Sequence, residues 1–142
     1  MSGWATNESE EHDRIVALTA QIRLAYPDSN HPNWKTYTNH PDQKMGVTKR
    51  DGTTVYPDIV VLETPNNYLK IISEVETAMT VTDDEATREW ASYASIGTTF
   101  YLYVPRASVA TARDLLARHS IVIAGLRGYD YDGSGNLKIN DY

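Results

Sequence analysis

Three carboxylate residues stand at the ends of two neighbouring apolar segments, where their side chains can act together. Asp58 lies near the start of the first segment, and Glu74 and Glu76 close the second. The turn residues between them, 64–67, predict a hairpin of two antiparallel strands. Such pairing brings all three carboxylates to one end of the sheet, and the spacing of two puts both glutamates on one face. Carboxylates this close raise one another's pKa unless a cation lies between them, so the pattern indicates a cation site.

Magnesium is the cation that such a group of oxygen ligands favours. Mg²⁺ takes near-octahedral geometry and commonly combines one or two carboxylates with water and substrate phosphate. The spacing of Pro57-Asp58 from Glu74-Val75-Glu76 therefore predicts metal-assisted hydrolysis of a phosphodiester. The alternative is that Glu74 and Glu76 face solvent and that Val75, between them, is the buried residue.

The order of these motifs resembles the PD-(D/E)xK nuclease superfamily, whose fold is called restriction-endonuclease-like. Pro57-Asp58 matches the first half of the motif, and Glu74-Val75-Glu76 matches the second half with Glu where Lys is usual. Glu89-x-x-x-Tyr93 resembles the Gln-x-x-x-Tyr element that many members carry on a helix. Residues 99–105 resemble the fourth core strand. The chain looks closest to small stand-alone members, in which the second motif often reads Glu-Val-Glu-Thr.

The resemblance, which covers residues 8–125, implies a fold, a cofactor and a function. The fold would be α/β with a three-layer restriction-endonuclease-like core, in which helices flank a mixed central sheet of αβββαβ-type order. Asp58, Glu74 and the carbonyl of Val75 would hold Mg²⁺ or Mn²⁺. Glu76 occupies the usual Lys position and would serve as general base or second metal ligand. The implied function is Mg-dependent, endonuclease-like hydrolysis of nucleic acid.

A first helix is predicted from residue 7 or 8 to residue 25, because Ile15, Leu18 and Ile22 recur at helical spacing. Extending this stripe backward by one turn reaches Glu11. The resemblance implies an auxiliary acidic metal ligand at such a position, so Glu11 joins the predicted ligands. The alternative is that the acidic residues here simply favour a helix N-terminus.

Composition indicates one compact domain. The chain has 142 residues, no cysteine and a net charge of −6. A chain of this length buries about two thirds of its unfolded surface, so residues 8–142 are expected to form a single domain with a C-terminal β-hairpin, preceded by a flexible tail at 1–7. Disulfides and thiolate zinc sites are excluded. Apolar segments are much shorter than the roughly 20 residues of a membrane span. We therefore expect a cytoplasmic protein that does not enter membranes.

Basic residues cluster just before the acidic segments, although the chain as a whole is acidic. Lys44, Lys49 and Arg50 are predicted to steer the phosphate backbone of a nucleic acid toward the metal. The alternative is an ordinary solvated loop. Two histidines in the same region, His31 and His40, lack two further ligands for zinc, and His12 and His119 are expected at the surface or at helix ends.

The rest of the chain predicts further elements. Helices are expected at 82–94 and 108–118, a short hairpin around Asp51-Gly52, and a strand at 121–126. Residues 130–141 resemble an EF-hand calcium loop in their oxygen-bearing positions and Gly. Tyrosines before the Gly-rich turn and apolar residues after it favour a β-hairpin instead.

Three functions therefore remain open. The first is a metal-dependent nuclease acting on nucleic acid, which would reach two strands as a homodimer through a surface around Tyr101 and Tyr103. The second is a catalytically inactive nuclease-like module used for binding or assembly, because Glu76 replaces the usual Lys. The third is calcium binding through residues 130–141.

Overall fold

The computed structural model describes the backbone of residues 3–142 and the side chains from residue 8 onward. The fold is α/β, as predicted, with both antiparallel and parallel strand pairs. The chain divides into two compact units, one ending at Ser73 and the other spanning Glu74–Tyr142. Within the described residues, no helix combines the length and hydrophobicity that crossing a membrane requires.

The helical segments are, in chain order, α1 (Gly3–Arg23), α2 (Asp83–Glu85), a π-helical turn (Ala86–Trp90), α3 (Ala91–Ala94), a 3-10 turn (Arg106–Ser108) and α4 (Val109–Arg118). The strands are β1 (Trp34–Thr38), β2 (Val47–Thr48), β3 (Thr54–Val55), β4 (Ile59–Glu63), β5 (Tyr68–Val75), β6 (Thr99–Pro105), β7 (Gly125–Tyr131) and β8 (Leu137–Asp141). The boundary between the two units falls inside β5.

Helix α1 differs from its prediction in both its start and its buried face. It begins at Gly3, so residues 3–7 are helical where a flexible tail is predicted, and residues 1 and 2 lie outside the described part of the chain. Its buried residues are Ile15, Val16, Thr19, Ala20 and Leu24. Ile22, placed in the predicted stripe, is 47% exposed. The true face is rotated by one position, about 100° around the axis, and it leaves Glu11 exposed.

The hairpin of β4 and β5 is confirmed. The two strands pair antiparallel, with Ile59 opposite Ser73, and residues 64–67 form the turn between them. Every residue of β4 from Ile59 to Leu62 is buried, and so is β5 from Ile71 onward. Asp58 immediately precedes β4, one position before the strand itself begins.

Strand β1 was missed by the sequence reasoning, and the neighbouring short hairpin was found. β1 pairs antiparallel with β4. Its sequence is polar and lies between two X-Pro steps, so neither apolar alternation nor length signals a strand there. β2 and β3 pair antiparallel around Gly52, whose φ of +90° suits glycine.

The second unit contains a helical run from Asp83 to Ala94 that begins where it is predicted. Thr82 is its N-cap, and the Thr82 hydroxyl accepts a hydrogen bond from the Glu85 N–H. A π-helical turn in the middle of the run ends at Trp90, which is completely buried.

Strands β6 and β7 pair in parallel, and α4 connects them. The prediction of a strand at 121–126 is wrong, because β7 begins at Gly125 and residues 121–124 are irregular. The apolar side chain of Ile121 is buried there without strand pairing. Tyr103, expected on a surface, is only 2% exposed and belongs to the core.

The C-terminal residues form the hairpin that their pattern favours. β7 and β8 pair antiparallel, with Tyr131 opposite Leu137. In the turn, Oδ1 of Asp132 accepts hydrogen bonds from the N–H groups of Ser134 and Asn136 at 2.8 and 3.0 Å. The side chain of Asp132 therefore stabilises the turn.

Candidate functional site

The first unit holds a buried carboxylate between two imidazole rings. Asp58 is 4% exposed. Its Oδ1 lies 2.7 Å from Nε2 of His40, and its Oδ2 lies 3.2 Å from Nε2 of His12. Each ring thus contacts a different oxygen of the same carboxylate.

A second carboxylate, that of Asp13, faces the other nitrogen of each ring. Oδ1 of Asp13 lies 3.4 Å from Nδ1 of His40 and 3.9 Å from Nδ1 of His12. The two rings meet edge to face, with centroids 4.7 Å apart. The four side chains form one group, which we call the His–Asp cluster: His12, Asp13, His40 and Asp58.

The His–Asp cluster is closed on one side and open on the other. The side chain of Asp58 is 5% exposed, whereas the side chains of His12, Asp13 and His40 are 21%, 28% and 36% exposed. A small ion and water can therefore reach the three outer residues, while Asp58 supports them from within.

Helix α1 supplies two members of the cluster. His12 lies one turn before Val16, on the buried face of the helix, and Asp13 follows it directly. The buried face of α1 thus ends in His12 rather than in the predicted Glu11, because the face is rotated by one position.

Asn39 positions the other two members. Its side chain is 2% exposed, and its Nδ2 donates to the carbonyl oxygens of Pro57 and Met45 at 2.6 and 2.8 Å. Its Oδ1 accepts from the N–H groups of Lys44 and Met45. The Asn39 N–H also donates to the carbonyl of Asp58 at 3.0 Å. These bonds connect the loop that carries His40 to the residue that precedes β4.

The outer residues of the cluster can hold a metal ion. His12, Asp13 and His40 each offer one ligand atom, and these atoms lie within 4.8 Å of one another. Two of the three donors are imidazole nitrogens, which suit zinc, copper, iron and nickel better than magnesium. The donor set alone does not identify magnesium as the cofactor.

Of the other predicted ligands, Glu74 and Glu76 belong to the second unit and are each 4% exposed. The alternative in which these glutamates face solvent and only Val75 is buried is therefore wrong. Oε2 of Glu76 accepts a hydrogen bond from the indole N–H of Trp90 at 2.9 Å, and Oε1 accepts one from the Thr80 hydroxyl at 3.4 Å. The Glu76 N–H donates to the carbonyl of Tyr103. These bonds give Glu76 a packing role.

The predicted basic residues lie in the loop and hairpin that follow His40. Lys44 and Arg50 are exposed, and Lys49 is half-buried in the turn of the β2–β3 hairpin. Asp51 sits beside them. The Thr53 hydroxyl and N–H, which donate to its carboxylate, hold the pKa of Asp51 below its usual value. Asp51 therefore remains negative and offsets part of the local positive charge.

Sequence reasoning missed His12, Asp13 and His40 as members of one site. One signal pointed toward His12. It lies four residues before Val16, so a stripe drawn through Ile15, Val16 and Thr19 would have included it. His40 adjoins Asn39, but no local pattern reports a pairing with Asp58, nineteen residues from that asparagine along the chain.

Comparison of the chain with protein-family models, with curated proteins and with solved structures gave no match.

Proposed function

We propose that the protein is a metal-dependent phosphodiesterase acting on nucleic acid, and that the His–Asp cluster is its reactive centre. One observation carries the proposal: the buried carboxylate of Asp58 holds two imidazoles, and both of these face a second, accessible carboxylate. Clusters of titratable groups that burial and neighbouring charges organise in this way are typical of active sites.

The chain's own residues supply positioning and charge. Asp58 fixes the orientation of both rings, and Asn39 fixes the distance between Asp58 and the loop of His40. The carboxylates of Asp13 and Asp58 make the site attractive to a divalent cation. Such an ion, when bound, supplies charge stabilisation to the reacting phosphate and eases ionisation of the attacking water.

The substrate class follows from the neighbouring cations. Lys44 belongs to the loop that also carries His40, and Lys49 and Arg50 follow in the next hairpin. Positive side chains on the segments that follow His40 favour a phosphate-bearing polymer over a neutral substrate. The restriction-endonuclease-like arrangement and a joint magnesium site of Asp58, Glu74 and Glu76 remain predictions.

A cleavage assay on labelled single-stranded and double-stranded DNA and RNA tests the function, with Mg²⁺, Mn²⁺, Co²⁺ and Zn²⁺ supplied in turn. We expect wild type to cut at least one of these polymers and Asp58→Asn to lose about 10–100-fold in rate, because the rings lose their anionic partner. Asp28→Asn is the matched control. Asp28 also contacts a histidine, His31, at 3.1 Å, but that pair is exposed and lies outside the His–Asp cluster.

Cleavage that survives Asp58→Asn unchanged would reject the proposed centre. An absence of cleavage on all four polymers, with tight binding to one of them, would instead favour the catalytically inactive binding module.

A further inference from the structure

We propose that one divalent ion of the transition-metal class binds between Nδ1 of His12, Nδ1 of His40 and the carboxylate of Asp13, with Asp58 outside the coordination sphere as the acceptor that orients both rings. This assignment rests on the proposed function for its catalytic meaning, whereas its test requires no substrate. It also gives Asp58 a role other than the predicted one, that of a positioning residue in place of a metal ligand.

The orientation of the rings supports the choice of ligand atoms. Nε2 of each ring makes the shorter carboxylate contact, 2.7 or 3.2 Å to Asp58, and an ionised carboxylate only accepts hydrogen bonds. The tautomer that satisfies Asp58 therefore carries its proton on Nε2, and the other nitrogen is the one that can coordinate a metal ion. In both rings that other nitrogen is Nδ1, and it faces Asp13. The arrangement matches the carboxylate–histidine–metal grouping, in which an outer carboxylate fixes the tautomer of the ligand.

The distances are those that a shared ion would need. Oδ1 of Asp13 is 3.4 Å from one Nδ1 and 3.9 Å from the other. Two ligand atoms, each about 2.1 Å from one metal ion, lie roughly 3–4 Å apart. His12, Asp13 and His40 each offer one ligand atom within 4.8 Å of the others, so one ion can contact all three residues.

The number and the exposure of the ligands indicate an open site. Two histidines and one carboxylate leave coordination positions for water or substrate, as in catalytic metal sites, whereas structural zinc sites close with four protein ligands. His40 and Asp13 are the more exposed members, at 36% and 28%. Nitrogen donors select against Mg²⁺, which prefers oxygen ligands, and favour Fe²⁺, Co²⁺, Ni²⁺ or Zn²⁺.

Calorimetric titration of the full chain with Co²⁺, Zn²⁺ and Mg²⁺ at pH 7.5 tests the assignment. We expect saturable binding of one Co²⁺ or Zn²⁺ per chain, and weaker binding of Mg²⁺ by at least about 100-fold. His40→Ala and Asp13→Asn should weaken Co²⁺ binding by at least about 100-fold, and Asp58→Asn by about 10–100-fold, the usual effect of removing an outer acceptor. His119→Ala is the matched control, since His119 contacts Asp83 at 2.7 Å in the second unit.

A second measurement uses only the wild-type protein, so it gives an answer even if the variants do not fold. Proton NMR of the Co²⁺-loaded wild type should show two strongly shifted, exchangeable signals, which are the Nε2 protons of the two ligand rings. The assignment would be overturned if His40→Ala and Asp13→Asn left Co²⁺ binding unchanged, or if wild type showed no saturable binding of Co²⁺ and Zn²⁺. The four residues of the His–Asp cluster would then be held together by ion pairs alone. Metal binding without cleavage would reject the proposed function alone, and cleavage without binding here would reject this inference alone.

Discussion

Asn39 donates a 2.6 Å hydrogen bond to the carbonyl oxygen of Pro57, and the residue that follows each partner belongs to the His–Asp cluster. The following residues, His40 and Asp58, lie 2.7 Å apart through Nε2 and Oδ1. Asn39 and Pro57 are thus joined by a buried side-chain amide, and the next residues, His40 and Asp58, are joined by an imidazole–carboxylate contact. The hydrogen bond from the Asn39 side chain to Pro57 brings the two backbone segments together, and this places His40 next to Asp58.

Replacing Asn39 with alanine should therefore lower stability and disturb the site together. The change removes the side-chain hydrogen bonds to Pro57, Lys44 and Met45 and leaves buried backbone groups without partners. We expect a loss of about 2–4 kcal/mol in the free energy of unfolding, measured by urea denaturation. Asn30→Ala, at an exposed position, should change it by less than about 0.5 kcal/mol. Equal stability of the two variants would show that Asn39 does not anchor the loop.

Changing Glu76 to lysine should destabilise the second unit rather than create an active site. Lysine would place a buried cation against the indole N–H of Trp90, a donor that needs an acceptor. We expect a loss of at least about 3 kcal/mol in the free energy of unfolding, and a smaller loss of about 1 kcal/mol for Glu76→Gln, which keeps an acceptor oxygen. Glu63→Lys is the control, because the side chains of Glu63 and Lys70 pair at 3.4 Å and are each about one third exposed. A Glu76→Lys protein as stable as wild type would contradict the packing role.

The turn of the C-terminal hairpin should weaken in acid. The N–H groups of Asn136 and Ser134 donate to the carboxylate of Asp132 and hold its pKa below the ordinary value. A lowered pKa in the folded state means that the charged form stabilises the fold above the unfolded pKa of about 3.9, and that this contribution disappears as the pH falls through the folded pKa.

Melting curves of wild type and Asp132→Asn between pH 2 and 7 test this behaviour. The melting temperature of wild type should exceed that of the variant near neutral pH, and the difference should shrink below about pH 4. A difference that stays constant down to the lowest pH would mean that the charge of Asp132 plays no part.

Neutralising the basic residues should reduce the salt dependence of nucleic-acid binding. Each phosphate contact contributes about −0.7 to −0.9 to the slope of log K against log salt concentration. The double change Lys49→Gln and Arg50→Gln should flatten that slope by roughly 1–2 in fluorescence-anisotropy titrations. Arg113→Gln, an exposed change on α4, is the control and should leave the slope unaltered. An unchanged slope in the double variant would place the nucleic acid elsewhere.

The parts of the fold that the sequence predicts well are those with strong local signals. β4 and β5 are continuous apolar strands around a turn, and Thr82 is a standard N-cap. β1 has neither signal, since its five residues are polar or aromatic and form a strand only by pairing with β4. Strand formation there depends on tertiary pairing, which local sequence does not encode.

The candidate site was predictable in one member out of four. Asp58 stood out because a carboxylate next to a buried strand is costly. His12 and Asp13 were hidden by a choice of helical face that was wrong by one position, and both Val16 and Leu18 fit an amphipathic helix equally well before packing decides between them. His40 follows Asn39, whose side chain bonds to the backbone of Pro57, and hydrogen bonds of this long-range kind leave no periodic trace in a sequence.

Because Trp90 is buried against Glu76, its fluorescence can report the unfolding of the second unit. Trp90 is the lone tryptophan in residues 74–142, whereas Trp4 and Trp34 both precede Ser73. In a chain with phenylalanine at positions 4 and 34, indole emission would come from one buried ring hydrogen-bonded to a carboxylate. The wavelength of its emission maximum and its intensity would follow the unfolding of residues 74–142 alone. The protein thus carries its own fluorophore for asking whether its two halves melt as one body or as two.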